Sequence, residues 1–375
     1  MNGFNLSTIS DVYVGSTQAS AIYLGTALIW ERATSTYLTI TALDSISVKY
    51  GRITPNQNHP AQYSLDGGTT WTNFPAYDST TWSDTTVDSI SMNLNDHMLI
   101  RDDMSNVQNF SSGGEAKFII TGAASLNGNI MSLSAYDDYS NATTLSANQF
   151  KYLFQGCKIA NASNLMLPVT ALADNCYESM FKDCDLLVAP PSLPATTLAE
   201  SCYYKMFENC QSLASTPSLP ANILSENCYA RMFKNCTSLV LAPSMPYTTP
   251  AELCCSEMFS GCESLTTGPV FLSGAAPASY LSMFEGCTSL IHAPLLEATT
   301  LAPDCYSYMF RDCTDLTYLS MKALNAPAGT LIENCMTDIL DNVGENGNLL
   351  IDQNAQWDTS AILPATWSVL YFTND

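Results

Sequence analysis

The stretch Cys202-Tyr203-Tyr204-Lys205-Met206-Phe207-Glu208-Asn209-Cys210-Gln211-Ser212-Leu213 returns 26 residues later as Cys228-Tyr229-Ala230-Arg231-Met232-Phe233-Lys234-Asn235-Cys236-Thr237-Ser238-Leu239. Its consensus, C-Y-x-x-M-F-x-[GND]-C-x-S-L-x-x-x-P-x-L-P-A-T-T-L, recurs in graded states of decay, with the phenylalanine at Phe154, Phe181, Phe207, Phe233, Phe259, Phe284 and Phe310. Cys335-Met336-Thr337-Asp338-Ile339-Leu340 is an eighth, degenerate copy. A constant period of this length marks an array in which each unit packs only on its neighbours, and a solenoid is expected.

The repeat also accounts for the cysteines. Thirteen of the 14 stand either five residues before the phenylalanine or three after it, and only Cys255 is out of register. At 100° per residue the first Cys, Tyr, Met and Phe share one apolar face, so a short helix is expected in every unit, with the cysteines stacked as small buried hydrophobes. Disulfides and a metal site are the alternatives for so many cysteines. No C-x-x-C occurs, and His59, His97 and His292 are isolated.

The residue before the second cysteine is Gly156, Asp183, Asn209, Asn235, Gly261, Gly286 or Asp312. All are types that tolerate positive φ, which predicts a left-handed helix cap there. The Ser-Leu segment that follows reads as a short strand ended by proline, and Leu193 to Leu198 reads as the return path. Strands stack at about 4.8 Å and helices near 10 Å, so an array with both must curve.

The chain has 375 residues with 35 acidic against 13 basic side chains, a formal charge of −22. The eight lysines and five arginines are scattered singly, which argues against nucleic acid and anionic membrane surfaces as partners. No apolar run approaches the roughly 18 residues of a bilayer span. Residues 1–31 lack a basic region followed by an apolar one, so the chain does not read as a Sec-exported precursor.

The M-F-x-x-C-x-S-L and L-P-A-T-T-L-A-x-x-C-Y units resemble the BspA-like leucine-rich repeats of gut Bacteroidetes and their phages, over roughly residues 150 to 340. That resemblance implies surface adhesion or recognition rather than catalysis.

Before the array, Val12 to Thr17 and Ile22 to Thr26 form a small duplication followed by Ala27-Leu28-Ile29-Trp30. It reads as two or three short strands, too few residues to bury a core alone. The segment resembles the amino-terminal pieces of phage virion and tail-associated proteins, which implies virion attachment through Tyr13, Ile22, Tyr23, Leu24 and Trp30; an edge hairpin of the next domain is the alternative. From Tyr37 to about Ala135, short alternating strands predict an antiparallel β-sandwich. Ser64-Leu65-Asp66-Gly67-Gly68-Thr69-Thr70-Trp71 matches the Asp-box of sialidase propellers, S-x-D-x-G-x-T-W. A single copy reads as a structural hairpin whose Asp bonds the turn and whose Trp covers it. Residues 128–139 resemble the junction that precedes such repeats in gut-phage and Bacteroides proteins. After Leu340 the period fades, and the strand-like tail is expected to cover the last repeat and complete the chain.

No nucleophile elbow, P-loop, dinucleotide fingerprint, zinc-protease motif or EF-hand loop is present. The pairs Asp102-Asp103 and Asp137-Asp138 are the nearest approach to a glycosidase or calcium site and read as solvated turns. No catalytic residue, metal ligand or cofactor is therefore assigned. Within the repeats the two positions before the Met-Phe pair vary while the framework does not; Tyr204, Arg231 and Tyr308 are the candidate ligand surface, since Tyr and Arg dominate recognition surfaces.

The expectation is an α+β multidomain chain: an attachment segment over 1–34, a β-sandwich over 35–140, a curved leucine-rich-repeat-like solenoid over 141–340 and a β cap over 341–375. Its expected role is a non-enzymatic phage virion appendage, assembled in the host cytoplasm. Capsid, portal or tail proteins are its expected partners through the N-terminus, with a host-surface or mucosal glycan on the repeats and further copies of itself. A bacterial cell-surface adhesin and a purely structural decoration are the alternatives.

Overall fold

Short β-branched and aromatic strands dominate the order of elements from the start. The computed structural model describes residues 13–14, 17–18, 21–24, 27–31, 37–52, 61–75, 88–102, 116–135, 142–325, 332–355 and 359–372. Strands β1 (Tyr13–Val14) and β2 (Thr17–Gln18) pair antiparallel, as do β3 (Ala21–Leu24) and β4 (Ala27–Glu31). Next come β5 (Leu38–Ala42), β6 (Ile46–Arg52), β7 (Gln62–Ser64), β8 (Thr72–Asn73), β9 (Ile90–Met92), β10 (His97–Arg101), β11 (Ala116–Thr121) and β12 (Ala124–Asn129). The only α-helix among the described residues is the four-residue α1 (Ser132–Ala135).

Two sheets share the first core. One is three-stranded, in the order β11-β6-β9; the other contains β12-β5-β10-β7-β8 and continues through β12 into β13 (Ile159–Met166) of the repeat region. Alternate residues point inward, as a half-buried strand requires: Ile46, Val48 and Tyr50 on β6, Ala116, Phe118 and Ile120 on β11. Tyr50 joins the two sheets. Its ring lies 4.5 Å from Phe118 and 5.2 Å from Phe74, and its hydroxyl donates to Asp102 Oδ2 at 2.7 Å.

From residue 148 onward the backbone follows a rule that the sequence reading misses. In the coil around Phe181, the N–H groups of Asn175, Tyr177, Ser179, Phe181 and Asp183 donate to the carbonyls of Glu200, Cys202, Tyr204, Met206 and Glu208 in the next coil, at 2.8–3.0 Å. The alternate residues Cys176, Glu178, Met180, Lys182 and Cys184 donate instead to the carbonyl three residues back, at 3.1–3.3 Å. Each coil is a run of four-residue turns, and every fourth residue is left-handed: Asn175, Ser179 and Asp183 have φ of 55°, 55° and 63°. The same three columns recur in each coil as far as Asp304, Tyr308 and Asp312.

The α+β class and the curved, helix-bearing leucine-rich-repeat-like solenoid are therefore corrected. The described chain is built of strands and turns with almost no helix. An α-helix would spend its interior N–H groups on its own carbonyls; here half of them cross to the neighbour. The reason for curvature fails with the helices, because both sides of the coil advance by one hydrogen-bonded spacing. The phenylalanine rings follow that stacking, with centroids 5.5–5.7 Å apart from Phe154 to Phe310. Phe118 of the first core extends the column, 5.1 Å from Phe154, and the buried apolar core runs unbroken from Leu38 to Trp367.

The expected strand after each second cysteine is mostly turns and isolated parallel bridges such as Leu241–Thr267–His292. Parallel strand pairing occurs at the two ends: β13, directly after Cys157, pairs with β12, and a later sheet runs in the order β14 (Phe271–Leu272), β15 (Leu295–Leu296), β16 (Tyr318–Met321), β17 (Asn348–Asp352), β18 (Ser368–Phe372). The tail is thus no cap laid across the end: β17 and β18 simply extend this sheet. Val369 and Tyr371 continue the inward columns Leu319/Leu349 and Met321/Ile351, yet Tyr371 is 64% exposed.

All 14 cysteines are free and buried. Those after the phenylalanine have a specific use: Cys184, Cys210, Cys236, Cys262, Cys287 and Cys313 each donate S–H to a phenylalanine carbonyl of the preceding coil, at 3.1–3.2 Å. Burial pushes the Cys157, Cys202 and Cys262 thiols up to about 12. Cys255 also finds its reason. It stands where other coils have Tyr203, Tyr229 or Tyr280, and Tyr247, in the loop position of Ala195 and Ala221, is buried 6.5 Å from the Tyr280 ring. A large-for-small exchange in the loop offsets the small-for-large exchange in the turn.

Two outcomes follow. Cys255→Tyr alone overpacks the coil and costs about 1–3 kcal/mol in denaturant unfolding, whereas Cys255→Tyr with Tyr247→Ala recovers most of it. Because only the thiolate reacts, an aromatic disulfide reagent at pH 8 finds no reactive thiol in the folded protein and all 14 in guanidinium.

Candidate ligand surface on the turn ridge

The outer edge of each coil is set by the left-handed columns. The one two residues before the phenylalanine carries Tyr152, Ser179, Lys205, Arg231, Glu257, Ser282 and Tyr308, with φ between 51° and 63°. Ser179 and Ser282 in this column are buried and the other five are half-buried, so the larger side chains reach the edge of the coil while the serines do not. Arg231 and Tyr308 belong to this column and Tyr204 precedes its member Lys205; all three are half-buried. Tyr204 and Arg231 sit on successive coils; Tyr308 lies three coils beyond Arg231.

The structure does not leave these residues bare. Arg231 grips Glu257 of the next coil with two bonds, Nε at 3.0 Å and Nη2 at 2.9 Å, and Lys234 binds the same carboxylate. Burial alone would raise the Glu257 carboxyl; the hydrogen bonds from Arg231 and Lys234 outweigh it and hold the group below its ordinary range. Lys205 lies over the Tyr204 ring at 4.5 Å, and Arg311 over Tyr308 at 4.9 Å. Parallel pairs tie neighbouring coils: Lys151–Glu178 at 2.8 Å, Lys182–Glu208 at 3.0 Å and Arg311–Glu285. Seven of the 13 basic residues, Lys151, Lys158, Lys182, Arg231, Lys234, Arg311 and Lys322, pair with an acid of a neighbouring coil. The sequence reading found the variable ridge but missed its pairing, because partners 26 residues apart are invisible until the coils are stacked.

Beside the ridge runs an amide ladder. Asn209 Nδ2 donates to Asp183 Oδ1 at 2.6 Å, and Asn235 Nδ2 to Asn209 Oδ1 at 2.9 Å. It stops at Gly261, where a Cβ would collide with the Asn235 side-chain oxygen.

The Asp-box forms the turn expected of it. Asp66 Oδ1 accepts the Thr70 N–H at 2.8 Å and the Ser64 hydroxyl at 2.7 Å, and Oδ2 accepts the Thr70 hydroxyl at 2.7 Å. Trp71 lies against the turn, with the Arg101 guanidinium 4.1 Å from its ring centroid. Asp102, one of the paired acids, is fully buried beside Tyr50. Asp103 and Asp137-Asp138 lie outside the described residues. Of the attachment residues, Tyr13 is in β1, Ile22, Tyr23 and Leu24 in β3, and Trp30 in β4. No group of three or more potential metal ligands occurs among the described residues, and no helix there is long and apolar enough to cross a membrane.

Comparison with protein-family models, with curated proteins and with solved structures returned no match.

The hydrogen bond from the Thr70 N–H, followed by those from the Thr70 and Ser64 hydroxyls, lowers Asp66 to about 2. A lowered carboxyl contributes stability above its unfolded value near 3.9, and the contribution is lost as pH falls through about 2. The Asp66 side-chain carboxyl carbon should therefore titrate near 2 by NMR, and Asp66→Asn should speed proteolysis between Ser64 and Trp71.

Proposed function

We propose that this protein is a non-enzymatic phage virion appendage that attaches through its amino-terminal strands and presents the turn ridge to a host-surface or mucosal glycan. The carrying observation is the division of labour in each coil. Backbone bonds and inward Tyr, Met, Phe and Cys columns fix the frame, while the left-handed ridge positions hold Tyr, Lys, Arg, Glu or Ser at a constant spacing. Such a ridge offers aromatic faces and charged hydrogen-bonding groups that are already ordered, which lowers the entropic cost of binding a polar, extended ligand.

The cysteines bear on where the chain folds. Fourteen free thiols on adjacent coils suit folding in a reducing cytoplasm, as a particle protein would, better than passage through an oxidising compartment. This favours the virion reading over an exported adhesin.

Two measurements test the reading. Removing residues 1–31 should abolish incorporation into particles while the purified remainder keeps its circular dichroism; unchanged incorporation counts against attachment there. On a glycan array, Tyr204→Ala combined with Arg231→Ala should weaken binding by at least about tenfold, as loss of two recognition residues does. Equal binding by the double variant would remove the ridge from the proposal.

A further inference from the structure

Among the described residues β18 is the edge of the parallel sheet, and this strand is built unlike a protected edge. Strand edges in monomers are blunted with charge, proline or a bulge. Ser368-Val369-Leu370-Tyr371-Phe372 has no charged residue and no proline, and its register with β17 is continuous. Leu370 is 45% exposed and Tyr371 64%.

The hydrogen bonds show which backbone groups are free. Ser368 N–H donates to the Gly347 carbonyl and the Phe372 carbonyl accepts from Gln353, so Ser368, Leu370 and Phe372 face β17. Val369 and Tyr371 then turn both N–H and C=O outward. These same residues carry the inward side chains that no coil covers among the described residues. Among the described residues this edge therefore lacks two things at once: backbone partners for Val369 and Tyr371, and full apolar cover for their side chains.

A strand symmetric about Leu370 supplies both. We propose that β18 pairs antiparallel with β18 of a second copy about a two-fold axis through Leu370. In that register Val369 lies opposite Tyr371 of the second copy, a hydrogen-bonded pair exchanging both N–H···O bonds, and Leu370 lies opposite itself in a non-hydrogen-bonded pair. Valine against tyrosine is a favourable cross-strand contact, and each covers the other's open column. Lack of charge on this strand permits the same occupant. A chain of net charge −22 repels its own kind over most surfaces, and this strand brings no charge to the contact. The interface is isologous and closes as a dimer.

A five-residue strand makes a small contact, so association depends on concentration. Sedimentation equilibrium of the full chain at about 100 µM should give twice the single-chain mass of 40.7 kDa, falling toward one chain on dilution. Leu370→Lys places two ammonium groups on the axis and should leave a folded monomer, checked by circular dichroism and melting temperature. Leu370→Cys puts two thiols on Cα atoms about 4.5 Å apart across the axis, within disulfide reach, and mild oxidation should yield a covalent dimer on a non-reducing gel. Because the native cysteines are buried, the unsubstituted chain should give none. A wild-type chain that stays single at that concentration, a trimer, a dimer that survives Leu370→Lys, or no cross-link from Leu370→Cys would each overturn the proposal.

Discussion

The bond from every second backbone N–H to the next coil is the constraint on which the structure depends. It removes half of the donors a helix would use, forcing the remainder into turns closed three residues back. That spacing in turn demands a left-handed residue at every fourth position. It also fixes the distance between coils, so identical side chains meet their counterparts face to face. The stacked phenylalanines, the S–H bonds to phenylalanine carbonyls and the asparagine ladder are all consequences of one repeated backbone contact.

Much of this was legible, and the part that was not failed for a physical reason. Burial of Cys202, Tyr203, Met206, Phe207 and Cys210 follows from their pattern. Apolar pairs four residues apart suit a helix of 3.6 residues per turn and a chain of four-residue turns almost equally well over so short a run. The left-handed column of Asp183, Asn209 and Gly261 announced itself by residue type. The column of Lys205, Arg231 and Tyr308 did not, since such residues take positive φ only when neighbouring coils impose it. The helix reading therefore placed the ridge residues on an outer face, whereas Ser179 and Ser282 are buried and Lys205, Arg231 and Tyr308 half-buried, on a different backbone.

The candidate surface shows the same limit. Tyr204, Arg231 and Tyr308 were recognisable as variable positions in a constant frame. Their electrostatic setting was not, because Arg231 and Glu257 become neighbours only when 26 residues of intervening chain have closed one circuit. Cys255 and Tyr247 show that even an apparent lapse in the repeat can be a paired change, readable only with both coils in view.

Uniform spacing on both sides of the coil carries a consequence for how such a chain changes over time. Each added circuit lengthens the stack by about 5 Å, the hydrogen-bonded distance, and leaves its cross-section unaltered. Duplication or loss of one 26-residue unit is therefore a change of reach alone, with the seam on either side made of the contacts already present. The one constraint is the exchange between Tyr247 and Cys255, eight residues apart: a unit cut so that it carries both can be copied or lost intact, whereas a cut between them leaves a void or a collision.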